Sequence, residues 1–295
     1  MGEGAGGEGM PELPEVETIR RGLNNQIAGL RIKSVQVKKA RLVKGSVKKF
    51  IAVLTGNIFL EFNRRGKLLI AALKSGQFLL IHLKMTGQLI YQHGRQLIAG
   101  GHSFVGMDWR LPSRHTHIII SFRDGSRLFF NDLRQFGYMK IVSKIELEKE
   151  LKKFGIEPLT AGFSLKNFVE IFANKKTTVK ALLLNQKLIA GLGNIYADEV
   201  CFYAKVKPGR RVYSLTEGEI KKLYQGCRVI LAKAVKARGT TFSDYVDADG
   251  RQGRFIKFLK VYGRKGEKCR RCRRGVIVKI KQGGRGTHYC PVCQC

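Results

Sequence analysis

The chain has 295 residues, 44% of them hydrophobic, which is enough for two or three domains with real cores. Its 55 Lys and Arg against 22 Asp and Glu give a net charge of +33, which favours a nucleic acid over other partner classes. Lys and Gly interrupt the longest apolar runs, so no segment reads as a membrane span. Seven cysteines without a secretory signal predict a reducing compartment, so the cytoplasm, or the nucleoid in a prokaryote.

Residues 1–10 (MGEGAGGEGM) are Gly-rich and predict a disordered leader or tag. The segment from Pro14 to Leu30 has helical apolar spacing at Val16, Ile19, Leu23 and Ile27. Pro14 suits a first helical turn, and Glu15 and Glu17 suit the positive end of the helix. From Ile32 to about Val142 the pattern predicts β-strands separated by Gly-bearing turns, with a hairpin turn at Arg123–Ser126 (RDGS). Ser143 to Leu159 predicts a short helix and a hinge. Ser164 to Arg238 predicts helices, followed by a polar, Gly-bearing loop from Gly239 to Arg254.

Near the end of the chain, seventeen residues separate the pair Cys269 and Cys272 from the pair Cys290 and Cys293. Two C-x2-C turns joined by a short hairpin suit tetrahedral binding of one zinc ion, and four thiolates leave no open position, so the metal is structural. Gly275 to Lys281 reads as a strand, Gly283 and Gly284 as the turn, and Thr287 to Tyr289 as the return. The stretch from Arg251 to Cys295 carries 14 basic residues and one acid, Glu267, as a nucleic-acid grip would. Cys201 and Cys227 read as core thiols and Cys295 as a spare.

The segment PELPEVETIRRGL (Pro11–Leu23) resembles the amino terminus of the bacterial formamidopyrimidine-DNA glycosylases, the Fpg/MutM family. The resemblance recurs in HLKMTGQL (82–89), DLRQFG (132–137), NQKLIAGLGNIYADE (185–199), VYGRKGEKC (261–269) and the closing RGTHYCPVCQ, in family order. It implies an α+β multidomain chain. After the leader 1–10 would come an antiparallel β-sandwich with flanking helices (11–143), a hinge (144–160), a helix–two-turn–helix domain with a base-capping loop (161–260) and a zinc finger (261–295). The implied activity is a bifunctional DNA glycosylase and AP lyase. It removes oxidised purines, 8-oxoguanine and formamidopyrimidines, from duplex DNA and cuts the strand by β,δ-elimination in base excision repair, acting as a monomer.

The resemblance also assigns roles. Pro11 is the nucleophile and Glu12 the acid–base group. Lys67, which reads as lying on a strand after a Gly-bearing turn (NRRGKLLI), donates a proton in β-elimination, and Arg285 serves δ-elimination as a phosphate clamp. Met85, Arg134 and Phe136 fill the space left by the flipped nucleotide. His115, Lys175 and Asn194 contact phosphates. Within the capping loop, Thr240, Thr241, Ser243 and Tyr245 are candidates to bond the flipped base. An α-amino group titrates near neutrality, so an N-terminal proline amine is nucleophilic at working pH. Inside the chain Pro11 has only an amide nitrogen, so this chemistry requires translation from Met10 or removal of the leader. Two other readings stay open: an endonuclease VIII-like enzyme for oxidised pyrimidines, and a non-catalytic DNA-binding protein on the same scaffold.

Overall fold

The computed structural model describes residues 10–94, 96–101, 110–240 and 255–295, with the backbone alone for 96–101. Residues 1–9 of the leader and the capping-loop candidates Thr241, Ser243 and Tyr245 lie outside the described residues. The chain divides into two compact units. One holds Met10–Lys153 and Arg238–Arg254, and the other Phe154–Ala237 and Phe255–Cys295.

The first unit opens with α1 (Leu13–Ile27), capped by Glu12 with Pro14 in its first turn. Nine strands follow: β1 (Ile32–Val37), β2 (Phe59–Arg65), β3 (Leu68–Leu73), β4 (Phe78–His82), β5 (Gly87–His93), β6 (Gln96–Gly101), β7 (Thr116–Phe122), β8 (Arg127–Asp132) and β9 (Tyr138–Val142). They build a five-stranded sheet ordered β1-β7-β8-β5-β6 and a four-stranded sheet ordered β2-β3-β4-β9. Every pairing within them is antiparallel.

One core joins the two sheets. Phe59, Phe62, Leu69 and Ile81 of the smaller sheet share it with Leu89, Ile118, Ile120, Phe122 and Phe130 of the larger, and α1 adds Val16, Ile19, Leu23 and Ile27. The period of two along a strand explains the alternation: Ile118 and Ile120 face this core, while Ile119 joins Ile90 and Phe129 in a second cluster on the other face. Both faces of β7 are therefore apolar, and its sequence reads as an unbroken run. The predicted sandwich is present, and so is the hairpin turn at Asp124, whose carboxylate accepts from the Ser126 backbone N–H at 3.0 Å.

The all-strand expectation for residues 32–142 needs one correction. Val47–Leu54 is a helix, α2. Ser46 caps it by accepting from the Lys49 N–H, and Phe50 and Leu54, four apart, bury one face. A single short helix flanked by basic residues gives little periodicity to detect. The predicted short helix before the hinge is α3 (Lys144–Leu151), with a Ser143–Glu146 capping box.

The second unit contains α4 (Leu165–Phe172), α5 (Val179–Leu183), α6 (Asn194–Ala204), α7 (Glu217–Lys236) and the hairpin β10 (Val278–Gln282) with β11 (Arg285–Tyr289). α7 is amphipathic and turns Leu223, Cys227 and Leu231 inward, whereas α6 is buried nearly all round. Phe163 stacks on Tyr224 with centroids 5.1 Å apart, and the Tyr224 hydroxyl donates to the Phe163 carbonyl at 3.0 Å. Cys201 and Cys227 are buried thiols and Cys295 is exposed, as predicted.

α1 is tied down by a carboxylate among guanidinium groups. Glu17 bonds Arg20, Arg21 and Arg64, each at 2.8 Å. Burial alone would raise its pKa, but hydrogen bonds from Arg20 and Arg21 and the charge of Arg64 outweigh that and bring it from 4.5 to about 2. A depressed folded-state pKa stabilises the fold above the ordinary value, and the stabilisation is lost as pH falls through the folded one. Acid unfolding of the parent should therefore steepen between about pH 4.5 and pH 2. Glu17→Gln should flatten that window when unfolding is followed by circular dichroism.

Candidate active site and zinc-braced DNA interface

Pro11 and Glu12 are buried at the head of α1, Glu12 with only 1% of its surface exposed. The Glu12 backbone N–H donates to Glu15 Oε2 at 3.1 Å. The other oxygen of Glu15 accepts from the N–H and hydroxyl of Thr240, at 2.7 and 3.0 Å. The Glu15 carboxylate thus joins the residue beside Pro11 to the root of the 239–254 loop. Sequence reasoning gave Glu15 only a helix-dipole role, because its partner stands 225 residues away.

Lys67 was expected on a strand. It occupies the β2–β3 turn instead and is 5% exposed. His82 at the end of β4 reports its charge: burial first, then the Lys84 and Lys67 ammonium groups, bring His82 down to about 3, so the imidazole is neutral at working pH.

The residues expected to replace a flipped nucleotide are brought together by hydrogen bonds between two turns. Met85 is half-buried in the β4–β5 turn, next to Thr86. The Thr86 hydroxyl donates to Asp132 Oδ1 and accepts from the Arg134 N–H at 2.9 Å. Asp132 Oδ2 accepts from the Gly137 N–H at 2.7 Å, which closes the loop over Arg134, Gln135 and Phe136. A Cβ on Gly137 would lie 2.8 Å from the Phe130 ring and 2.9 Å from Asp132, so the closure requires glycine. Phe136 remains 54% exposed, with the Arg134 guanidinium 5.0 Å from its ring centroid. An apolar ring held out to solvent by a bonded loop suits a wedge better than a core. His115 belongs to the same group, since its carbonyl accepts from the Asp132 N–H at 3.0 Å.

In the second unit, Arg285 is exposed at the start of β11, opposite Gln282 across the Gly283–Gly284 turn. Both glycines have positive φ, 54° and 76°, as a tight two-residue hairpin requires. Asn194 begins α6, and its Nδ2 donates to the Gly286 carbonyl at 3.0 Å. The structure brings Asn194 and the Arg285 hairpin together, but it gives Lys175 no such link; that residue is half-buried between α4 and α5.

A different lysine makes the connection. Lys180 Nζ lies 2.6 Å from Asp198 Oδ1 and donates to the Gly286 carbonyl at 3.0 Å and the Thr287 hydroxyl at 2.9 Å. The second Asp198 oxygen accepts from the His288 N–H at 2.8 Å. Lys180 and Asp198 are 2% and 0% exposed. Hydrogen bonds to the groups around such a pair offset part of its desolvation, and here Lys180 uses two further donors and Asp198 Oδ2 one acceptor site. The available clue in the sequence was the acid pair Asp198–Glu199 inside an otherwise apolar helix, where buried carboxylates need partners. Glu199 finds its partners in the backbone N–H groups of Lys260, Val261 and Tyr262, at 2.9 to 3.0 Å.

The Sγ atoms of Cys269, Cys272, Cys290 and Cys293 lie within 4.8 Å of one another. The Cys269–Cys293 and Cys272–Cys290 separations are 3.6 and 3.8 Å. Tetrahedral thiolates about 2.3 Å from zinc would stand roughly 3.8 Å apart, so the cluster fits the ion. Backbone N–H groups of Arg271 and Gly275 point at Cys269 and Cys272 sulfurs, each at 3.4 Å. The Gly275 N–H chiefly brings the Cys272 thiol down to about 6, toward the thiolate that binds metal. A Cβ on Gly275 would sit 2.6 Å from the Cys290 sulfur. The four cysteines hold one structural zinc ion.

Comparison with known proteins covers nearly the whole chain. Residues 10–139 match the formamidopyrimidine-DNA glycosylase N-terminal domain, 154–246 its H2TH domain, and 266–294 the zinc finger found in FPG and IleRS. The chain is 39% identical over 288 residues to formamidopyrimidine-DNA glycosylase of Pelotomaculum thermopropionicum, covering 97% of this chain and 99% of that protein. It is 40% identical over 290 residues to the protein of the same name from Heliobacterium modesticaldum, at 97% and 100% coverage. Among solved structures, the Lactococcus lactis Fpg in complex with abasic-site DNA superposes with a TM-score of 0.86 at 36% identity, covering 96% of this chain and 99% of that one. A complex of the same organism's protein with N7-benzyl-Fapy-dG DNA gives the same values. The chain belongs to the formamidopyrimidine-DNA glycosylase family.

Proposed function

We propose that the chain excises oxidised purines from duplex DNA and cuts the strand at the resulting abasic site, within the cytoplasm of a prokaryote and as a single chain. The observation that carries this reading is the buried Pro11–Glu12 pair at the head of α1, in a chain about 40% identical over its length to named formamidopyrimidine-DNA glycosylases.

The reaction requires the Pro11 nitrogen as a free secondary amine. The family match begins at Met10, which supports a mature chain starting at Pro11. The amine attacks C1′ of the damaged nucleotide, and the bond to the base breaks with its electron pair leaving on the base, which takes up a proton. Glu12 protonates the ring oxygen as the sugar opens, giving a Schiff base. Loss of the C2′ proton then drives β-elimination of the 3′ phosphate, with Lys67 as the proton donor. A second elimination releases the 5′ phosphate. Guanidinium is a poor acid, so Arg285 acts there by clamping the leaving phosphate. Base release needs the nucleotide out of the stack, and Met85, Arg134 and Phe136 occupy the vacated space. His115, Lys175 and Asn194 contact phosphates, and the buried Lys180 positions the Arg285 hairpin.

Three measurements follow. The parent starting at Pro11 should release 8-oxoguanine from a duplex and leave a one-nucleotide gap, with far slower action on thymine glycol. The reverse preference would favour the pyrimidine-directed reading, and binding without cleavage the non-catalytic one. Lys180→Met leaves Asp198 buried without its cation, which should cost about 3–5 kcal/mol in denaturant unfolding. At temperatures where the variant remains folded, its products should shift from β,δ- toward β-elimination. Cys290→Ser should bring the metal content below one zinc per chain and abolish duplex binding in an electrophoretic assay, because the zinc braces the hairpin that presents Arg285.

A further inference from the structure

From Thr18 to Leu60 the chain contains no acidic residue. Within that stretch Lys38, Lys39, Arg41, Lys44, Lys48 and Lys49 are all exposed, and among the described residues none of them forms an ion pair. The Glu146 carboxylate of α3 feels the charge of Lys49, but its hydrogen bonds go to Ser143.

The backbone beneath these cations is pinned to the site already described. The Lys38 N–H donates to the His117 carbonyl and the Lys44 N–H to the Met139 carbonyl, both at 2.8 Å. Arg41 Nη2 donates to Gln135 Oε1 at 2.6 Å, within the loop that carries Arg134 and Phe136. The Lys39 charge reaches His117, whose ring nitrogen lies 2.8 Å from the Asp132 carbonyl. The basic segment is therefore a fixed surface beside the Phe136 loop.

We propose that Lys38, Lys39, Lys44, Lys48 and Lys49 form a rail for the phosphodiesters of the duplex flanking the lesion. This rests on the reading that the 132–137 loop faces DNA. Six like charges in twelve residues, without a carboxylate to pair them, repel one another, and a polyanion relieves that repulsion while releasing its counterions. None of the exposed large apolar side chains lies between residues 38 and 49, so the surface lacks the anchors that a protein partner or a lipid bilayer would use. The pinned backbone also means that binding orders only side chains.

The test uses the full chain with Lys39→Gln, Lys44→Gln and Lys48→Gln together. A control with the same charge change carries Lys221→Gln, Lys222→Gln and Lys236→Gln on α7. Affinity for undamaged duplex is measured across a salt series, on a long duplex and on one trimmed close to the lesion position. The rail variant should show a dependence of log K on log salt shallower by roughly 2 to 3, about one per lysine, and the control a change below about 1. Trimming should erase the difference between rail variant and parent, and single-turnover excision at saturating enzyme should keep the parental rate. A rail slope equal to the control, or a loss indifferent to duplex length, overturns the proposal. So does weakened binding to anionic vesicles with duplex binding intact. Because affinity is read on undamaged DNA, a parent that fails to excise 8-oxoguanine would sink the excision reading and leave the rail result to stand or fall separately.

Discussion

A polypeptide has one main-chain amine, and only its first residue carries it. An enzyme that uses this group as nucleophile must build its site around the start of the chain, where most proteins fray. In the first unit Pro11 and Glu12 stand at the cap of a helix. Pro11 and Glu12 are buried rather than loose, α1 anchors its apolar face in the sandwich core, and Glu17 ties the helix to Arg64 on β2. Glu15 extends the same scheme, with one oxygen on the Glu12 N–H and the other on Thr240. The residue next to Pro11 and the root of the loop after α7 thus share one carboxylate.

The second unit solves a different problem, which is to hold a cation steady on the tip of a two-stranded hairpin. A two-stranded hairpin alone is marginally stable in water. Here zinc closes its base through four thiolates, and the Lys180–Asp198 pair holds its tip through the Gly286 carbonyl and the His288 N–H. Asn194 adds a second donor to that carbonyl. Arg285 is exposed, while the residues that follow it in the hairpin are held by Lys180, Asn194 and Asp198.

Where local pattern decides structure, the sequence was readable. The sandwich strands, the long amphipathic α7, the cysteine quartet and the Gly283–Gly284 turn all follow from spacing and turn chemistry. Elements set by distant partners were not. α2 has too few turns to display a period, and its Ser46 cap is a common residue in loops too. Lys67 was placed on a strand because GKLLI is strand-like, although the turn begins one residue earlier. Nothing local marks Lys180 for burial, and only the position of Asp198 in the folded α5–α6 pair gives it a partner. The roles of Glu15, Thr86 and Asp132 depend on hydrogen bonds between residues 46 to 225 positions apart, which a single sequence does not reveal.

The most direct test of the central claim is to locate the covalent bond. The native protein, reduced with borohydride while acting on an 8-oxoguanine duplex, is digested and the nucleotide-bearing peptide sequenced by mass spectrometry. The account predicts that the adduct sits on the nitrogen of Pro11 in a peptide that begins with that residue. An adduct on a lysine side chain, or on a chain still carrying residues 1–10, would contradict it.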